Sequence, residues 1–211
     1  MTGESFEMFE NEKLIIGEHF TYEGIEWICL DIVGGNYLAI TAEVWQELPF
    51  DVDNHNNWKE SSLRRQLNNE FLDKLNKKHL IIQTSNLIAD NGDRRYGTCE
   101  DYITILSYDQ YRKYRDLVPH YSEWMWTLTP WNCYSGTGGY VRYIHPTGNI
   151  DHHIAYNSHG VAPACIFSSR HLKLCSGNGK ITYQKKKATR LITAKQIKNT
   201  LKMYFKEMKT W

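Results

Sequence analysis

Four histidines, His145, His152, His153 and His159, lie close to Asp151 and Cys133, so imidazole, carboxylate and thiolate groups that ligate zinc share one short stretch. Their spacings of seven, one and six form no known ligand set, and adjacent His152 and His153 in a strand point to opposite faces. The pattern predicts surface-loop histidines and no bound metal. Gly136-Thr-Gly-Gly139 invites a phosphate-cradle reading, but it lacks the Lys-Ser/Thr ending and following helix of a P-loop, so a tight turn is expected. The same region is dense in Trp124, Trp126, Trp131, Tyr134, Tyr140 and Tyr143. Rigid amphipathic rings on loops give contact area at little entropic cost. In a small β-rich domain such a set divides between core and surface. Trp126 is assigned to the core, and Trp124, Trp131, Tyr134, Tyr140 and Tyr143 are the candidate partner contacts.

Charge supplies the second signal. Residues 170–211 hold 12 Lys/Arg against the single acid Glu207, a net +11, while residues 1–169 hold 13 against 23, a net −10. Lys185, Lys186, Lys187, Arg190, Lys195, Lys198 and Lys202 are the candidate contacts for nucleic acid or another anionic surface. Ala194, Ile197, Leu201, Tyr204, Phe205 and Met208 line one side of an expected helix capped by Thr193. Two targets stay open for this charge: an external polyanion, or the acidic body of the same chain.

These residues need a scaffold. Leu14–Ile16, Ile25–Ile32 and Tyr37–Thr41 read as a β-meander, turned at Glu23-Gly24 and Gly34-Gly35-Asn36. Leu63, Leu67, Phe71 and Leu75 recur every four residues behind Ser61/Ser62, predicting an amphipathic helix with a serine cap and Trp58 as a staple. Leu80–Ile82 and Asp101–Ser107 read as strands, 89–100 as a surface loop, and Tyr108–Tyr114 as a brief helix. From Glu123 to Ser169 short strands and ordered loops are expected.

The chain has 211 residues, 41% hydrophobic and 23% charged, within the range of a globular domain with one real core. No apolar run approaches the roughly 20 residues of a membrane span, and residues 1–12 lack the features of a signal peptide. Five cysteines at irregular spacings, with no CxxC, predict reduced thiols. A cytosolic protein is expected, divided into an extension (1–12), a domain (13–169) and a basic tail (170–211).

Six ordered motifs carry a resemblance. They are Gly17 with Tyr22-Glu-Gly-Ile-Glu-Trp27, Trp58-Lys-Glu-Ser-Ser-Leu-Arg-Arg-Gln-Leu-Asn-Asn-Glu-Phe71, Asp101-Tyr-Ile-Thr-Ile-Leu-Ser107, Trp126-Thr-Leu-Thr-Pro130, Tyr140-Val-Arg142 followed by Gly148, and Gly160-Val-Ala-Pro-Ala164. Over about residues 13–169 the chain resembles the domain of unknown function numbered 6273, found in Gram-positive bacteria, their phages and mobile elements. That family is similar to the formylglycine-generating, sulfatase-modifying fold. The resemblance implies an α+β, C-type-lectin-like twisted antiparallel sheet with flanking helices and long ordered loops, to which this chain adds its basic C-terminal helix. Two usual arginines are replaced by Leu128 and Ala162. A sulfatase-modifying activity would need a redox cysteine pair, for which Cys165 and Cys175 are the candidates. Cys165 lies in an apolar strand, however, and reads as a buried thiol.

The sequence therefore predicts a non-enzymatic recognition protein of phage or mobile-element origin, without cofactor, whose partner is a protein or nucleoprotein complex. One specific form is an inhibitor of a host nucleic-acid-directed defence complex, of the anti-CRISPR kind, acting in the host cytosol. A divergent oxidase and a carbohydrate-binding or virion-associated module are the alternatives.

Overall fold

A computed structural model describes residues 13–133 and 139–170. In chain order its strands are β1 (His19–Tyr22), β2 (Ile25–Val33), β3 (Asn36–Thr41), β4 (Gln46–Pro49), β5 (Leu80–Ile81), β6 (Gln83–Asn86), β7 (Thr98–Asp101), β8 (Ile103–Thr104), β9 (Met125–Pro130), β10 (Tyr140–Ile144), β11 (Ile150–Ile154), β12 (Ser158–Val161) and β13 (Ala164–Phe167). Two short helices, α1 (Ser62–Gln66) and α2 (Tyr108–Tyr114), join them in a mixed α+β arrangement.

Alternation along β2 and β3 divides the interior. Trp27, Cys29, Tyr37 and Ala39 enter one core, while Ile28, Leu30, Leu38 and Ile40 enter a second on the opposite face. A strand buried on both faces reads as a continuous apolar run, which is why this meander was plain in the sequence. The first sheet runs β1-β2-β3-β13-β5, with β8 sharing the outer edge of β13. The second runs β11-β10-β9-β12-β4, and β6 with β7 forms a separate ribbon.

Three expectations need correction. Leu14–Ile16 forms no strand: Leu14 is a buried anchor, Ile15 and Ile16 are exposed, and the chain turns at Gly17 before β1. The expected single antiparallel sheet is two sheets and a ribbon, and the second sheet is mixed, because β12 runs parallel to β9 at Gly160 and Met125. The 89–100 loop ends in β7, whose Thr98 to Asp101 pair with Asn86 to Gln83.

Ser61 caps α1 by accepting from Arg64 N, as its position suggested. The regular helix lasts only to Gln66, then widens into a π turn over Leu67–Phe71 and a 3-10 turn over Leu72–Lys74. Leu63, Leu67 and Phe71 are nevertheless fully buried in the core that also holds Trp27 and Trp126. Phe71 meets the Trp27 and Trp45 rings edge to face, with centroids 6.1 and 5.2 Å away. Trp58 is buried against Phe50, and its Nε1 donates to Asp101 Oδ2 at 2.9 Å. In the second core α2, held by a Ser107/Gln110 capping box, contributes Tyr111 and Tyr114.

Gly160 explains one motif residue. Its N–H donates to Trp124 O at 2.7 Å, and a Cβ there would stand 3.1 Å from the Glu123 Cβ and press on the Met125 sulfur. Gly160→Val therefore costs about 1–3 kcal/mol, as overpacking does, and displaces Trp124. Urea unfolding and near-ultraviolet circular dichroism check this; an unchanged Trp signal at unchanged stability would contradict it.

Candidate functional site

Strands β10 and β11 pair so that Arg142 stands opposite His152 and Tyr143 opposite Asp151. With a period of two, Val141, Tyr143, Asp151 and His153 take one face of this hairpin, and Tyr140, Arg142, Ile144, Ile150, His152 and Ile154 the other. His152 and His153 thus lie on opposite faces, as their adjacency required. The candidate contact residues are divided in the same way.

On the first face the Trp124 indole stacks on the Tyr143 ring, centroids 4.9 Å apart at an interplanar angle of 4°. Three imidazoles surround this pair. His145 and His159 lie 5.5 Å from the Trp124 ring and His153 lies 6.3 Å away. His159, expected in a surface loop, sits instead on β12 and is only 7% exposed, packed 4.3 Å from the Trp126 ring. Its neighbour Gly160 contacts β9 closely, which draws this short strand inward. His153 Nδ1 is 3.0 Å from His159 Nε2, and the Asn157 amide is 3.0 Å from both nitrogens of His153.

On the second face Trp131 is contacted by the Arg142 guanidinium at 4.3 Å and by the His152 ring at 4.1 Å. Tyr140 meets His152 edge to face at 5.4 Å. Arg142 is held by Asp90, its Nη2 2.6 Å from Oδ2. Of the residues singled out by sequence, Trp124 and Tyr140 are exposed at 40% and 38%, and Trp131 is half-buried. Tyr143 is buried at 7%, so it backs Trp124 instead of meeting a partner itself. Tyr134, Lys185, Lys186, Lys187, Arg190, Lys195, Lys198 and Lys202 lie outside the described residues, as do the expected C-terminal helix and Cys175.

Asn56 was not foreseen. Fully buried, it donates through Nδ2 to Asn132 O at 2.8 Å and Tyr140 O at 2.9 Å, while its Oδ1 accepts from Tyr96 OH at 2.7 Å. One side chain thus brackets both ends of the segment that joins Trp131 to Tyr140. No periodicity marks an asparagine between His55 and Asn57, so sequence offered no signal for it. Asn56→Ala takes one donor each from the Asn132 and Tyr140 carbonyls, the latter still accepting from Trp131 N, and removes the acceptor of the Tyr96 hydroxyl. It should cost about 2–4 kcal/mol, read as a lower urea midpoint. A midpoint shift near zero would count against this bracket.

Burial, and secondly the neighbouring His153, pushes the His159 imidazole down to about 4. The folded protein therefore holds His159 neutral where the unfolded chain, at its ordinary value near ~6.5, already binds a proton. That contribution is fully present above pH ~6.5 and is lost as pH falls toward 4, by up to about 1.4 kcal/mol per pH unit. Urea midpoints of wild type and His159→Gln should converge over this interval; a constant gap would refute the sign.

Two other features are structural. Asp51, Asp53 and His55 bring three ligand-type atoms within 4.8 Å of one another, but Asp51 already accepts from Ser62 N, His55 N and His55 Nδ1. A groove of about 560 Å³ beside α2 is lined by Thr84, Asn86, Asp90, Ser107, Gln110 and Thr129. Ser107 and Gln110 are engaged in the capping box, Asp90 holds Arg142, and Thr129 accepts from Tyr108 N.

Cys165 is fully buried, and burial pushes its thiol well above the ordinary range. No helix among the described residues is long and apolar enough to cross a membrane. No family model, no curated protein and no solved structure matches the chain.

Proposed function

We propose that this chain is a non-enzymatic recognition protein, binding a nucleic-acid or nucleoprotein partner through the β10–β11 hairpin and the basic tail. The observation that carries the reading is the exposure of two large rings, Trp124 just before β9 against one face of the hairpin and Tyr140 on its other face, in a domain that buries Trp27, Trp58 and Trp126. Large rings left in solvent on a rigid scaffold favour recognition. The +11 tail beside a −10 body supplies electrostatic attraction to a polyanion.

Resemblance to domain 6273 supports a lectin-like variant of the α+β fold and an origin in phages or mobile elements. A small charge-polarised protein from such a source fits an inhibitor of a nucleic-acid-directed defence complex. The oxidase alternative loses support because Cys165 presents no accessible thiolate. A plasmid-interference assay tests the reading: in a host with an active nucleic-acid-guided nuclease, expression of the chain restores transformation by a targeted plasmid. Unchanged interference together with no affinity for nucleic acid at low salt would overturn it.

A further inference from the structure

The geometry points to a second capacity of the hairpin: we propose that His153 Nδ1 and His159 Nε2 together form a two-imidazole site for a late first-row divalent metal ion, Cu(II) above all. The two nitrogens converge at 3.0 Å. With metal–nitrogen bonds of about 2.0–2.1 Å, that separation corresponds to a bite angle of roughly 95°. Such an angle is close to the cis positions of a square-planar or tetragonal ion and far from the tetrahedral preference of zinc. Imidazole nitrogen and the order of divalent affinities both favour copper.

Ligation fixes the tautomer of each imidazole. His159 Nε2 faces His153 Nδ1, so with the His159 proton on Nδ1 its lone pair points toward His153. For His153 to offer Nδ1, its proton must reside on Nε2 and find an acceptor. The Asn157 amide lies 3.0 Å from both ring nitrogens, beside the ring and off the Nε2–H axis, so that proton is given to water. Without metal one of the two facing nitrogens donates a proton to the other. Binding requires only that this proton move to the far nitrogen of its own ring. Both imidazoles then remain neutral, as ligation demands.

Position favours entry from one side. His159 is walled by Trp124, Trp126 and Tyr143, whereas His153 is half-buried on β11, an edge strand of its sheet. Asp151, two residues along the same face of β11, adds negative charge close by. Water or an added ligand would complete the coordination sphere. The grouping escaped the sequence because a spacing of six has no meaning until β12 folds back across β9 from the hairpin.

The test uses the full chain, stripped of metal and titrated at neutral pH with CuSO₄, NiCl₂, ZnCl₂ or MgCl₂. Copper should quench Trp fluorescence saturably at one equivalent, because the Trp126 and Trp124 rings stand 4.3 and 5.5 Å from that of His159. Electron paramagnetic resonance should show two coupled imidazole nitrogens. His153→Ala, a change on a half-buried edge position, should weaken copper binding by at least about tenfold and remove one nitrogen coupling. His55→Ala and His171→Ala should leave both unchanged. If copper binding survives His153→Ala intact, follows His55 or His171, or gives a spectrum without two imidazole nitrogens, the site is adventitious and the proposal fails. Because His159→Asn carries a risk to folding, the resonance spectrum of wild type serves as the independent readout.

Discussion

Replacing Asp101 by alanine is expected to remove about 3–5 kcal/mol of stability, the scale of breaking a buried, hydrogen-bonded ion pair from one side. Its Oδ1 accepts from Arg64 Nε at 2.8 Å and its Oδ2 from Trp58 Nε1 at 2.9 Å. The Asp101 side chain is 2% exposed and that of Arg64 29%, so neither group regains full hydration when its partner is lost. Without the carboxylate, an indole N–H inside the core is left unpaired, and the Arg64 guanidinium keeps only its Nη1 bond to Lys59 O. The carboxylate also ties the start of α1 to the end of β7, two elements from separate motifs. Asp101→Asn keeps the shape and one acceptor and should cost distinctly less. Urea unfolding of both variants provides the measurement, and a loss below about 1 kcal/mol for Asp101→Ala would show the contact to be incidental.

The second large effect concerns the tail. If at least six of its lysines engage phosphates, affinity for a nucleic acid falls by roughly 10³ between 50 and 200 mM salt, because each contact releases a condensed counterion. Truncation after Gly179 should remove most of this affinity and flatten the salt dependence. Replacing Lys185, Lys186 and Lys187 by glutamine in the full chain should reduce the slope by about three contacts' worth. A tail docked on its own acidic body behaves differently: truncation would lower the melting temperature and leave binding unchanged. Fluorescence anisotropy with labelled single-stranded and duplex probes distinguishes the two.

Legibility in the sequence followed how local each feature is. The Gly34-Gly35 hairpin, the Ser61 cap and the short helix over Tyr108–Tyr114 depend on residues a few positions apart, and each formed where its chemistry indicated. Burial of Leu63, Leu67 and Phe71 was also visible, since a repeat of four survives the change from α to π geometry over Leu67–Phe71. Sheet partnership was not. β4 has the burial of an edge strand, and β5 and β8 are two residues each, too short to carry a period. The division of the aromatic residues was half visible: alternation separates His152 from His153, but the stacking of Trp124 on Tyr143 depends on the tertiary path of residues 123–125 beside β12. Asn56 acts across sequence separations of 40, 76 and 84 and Asp101 across 37 and 43, each through a single side chain, and no window of sequence reports such contacts.

The central claim is that the exposed rings of Trp124 and Tyr140 at the hairpin and charge on the tail act on one partner. Its most direct test is the salt dependence of affinity for a labelled single-stranded RNA, measured for the full chain and for the Trp124→Ala/Tyr140→Ala double variant. Stacking contributes about 1–3 kcal/mol per base and depends little on salt, whereas phosphate contacts set the slope. The account predicts two parallel lines of log affinity against log salt, the variant weaker by at least about tenfold. Superimposed lines would take the rings out of recognition, and flat lines would take out the tail; either result contradicts it.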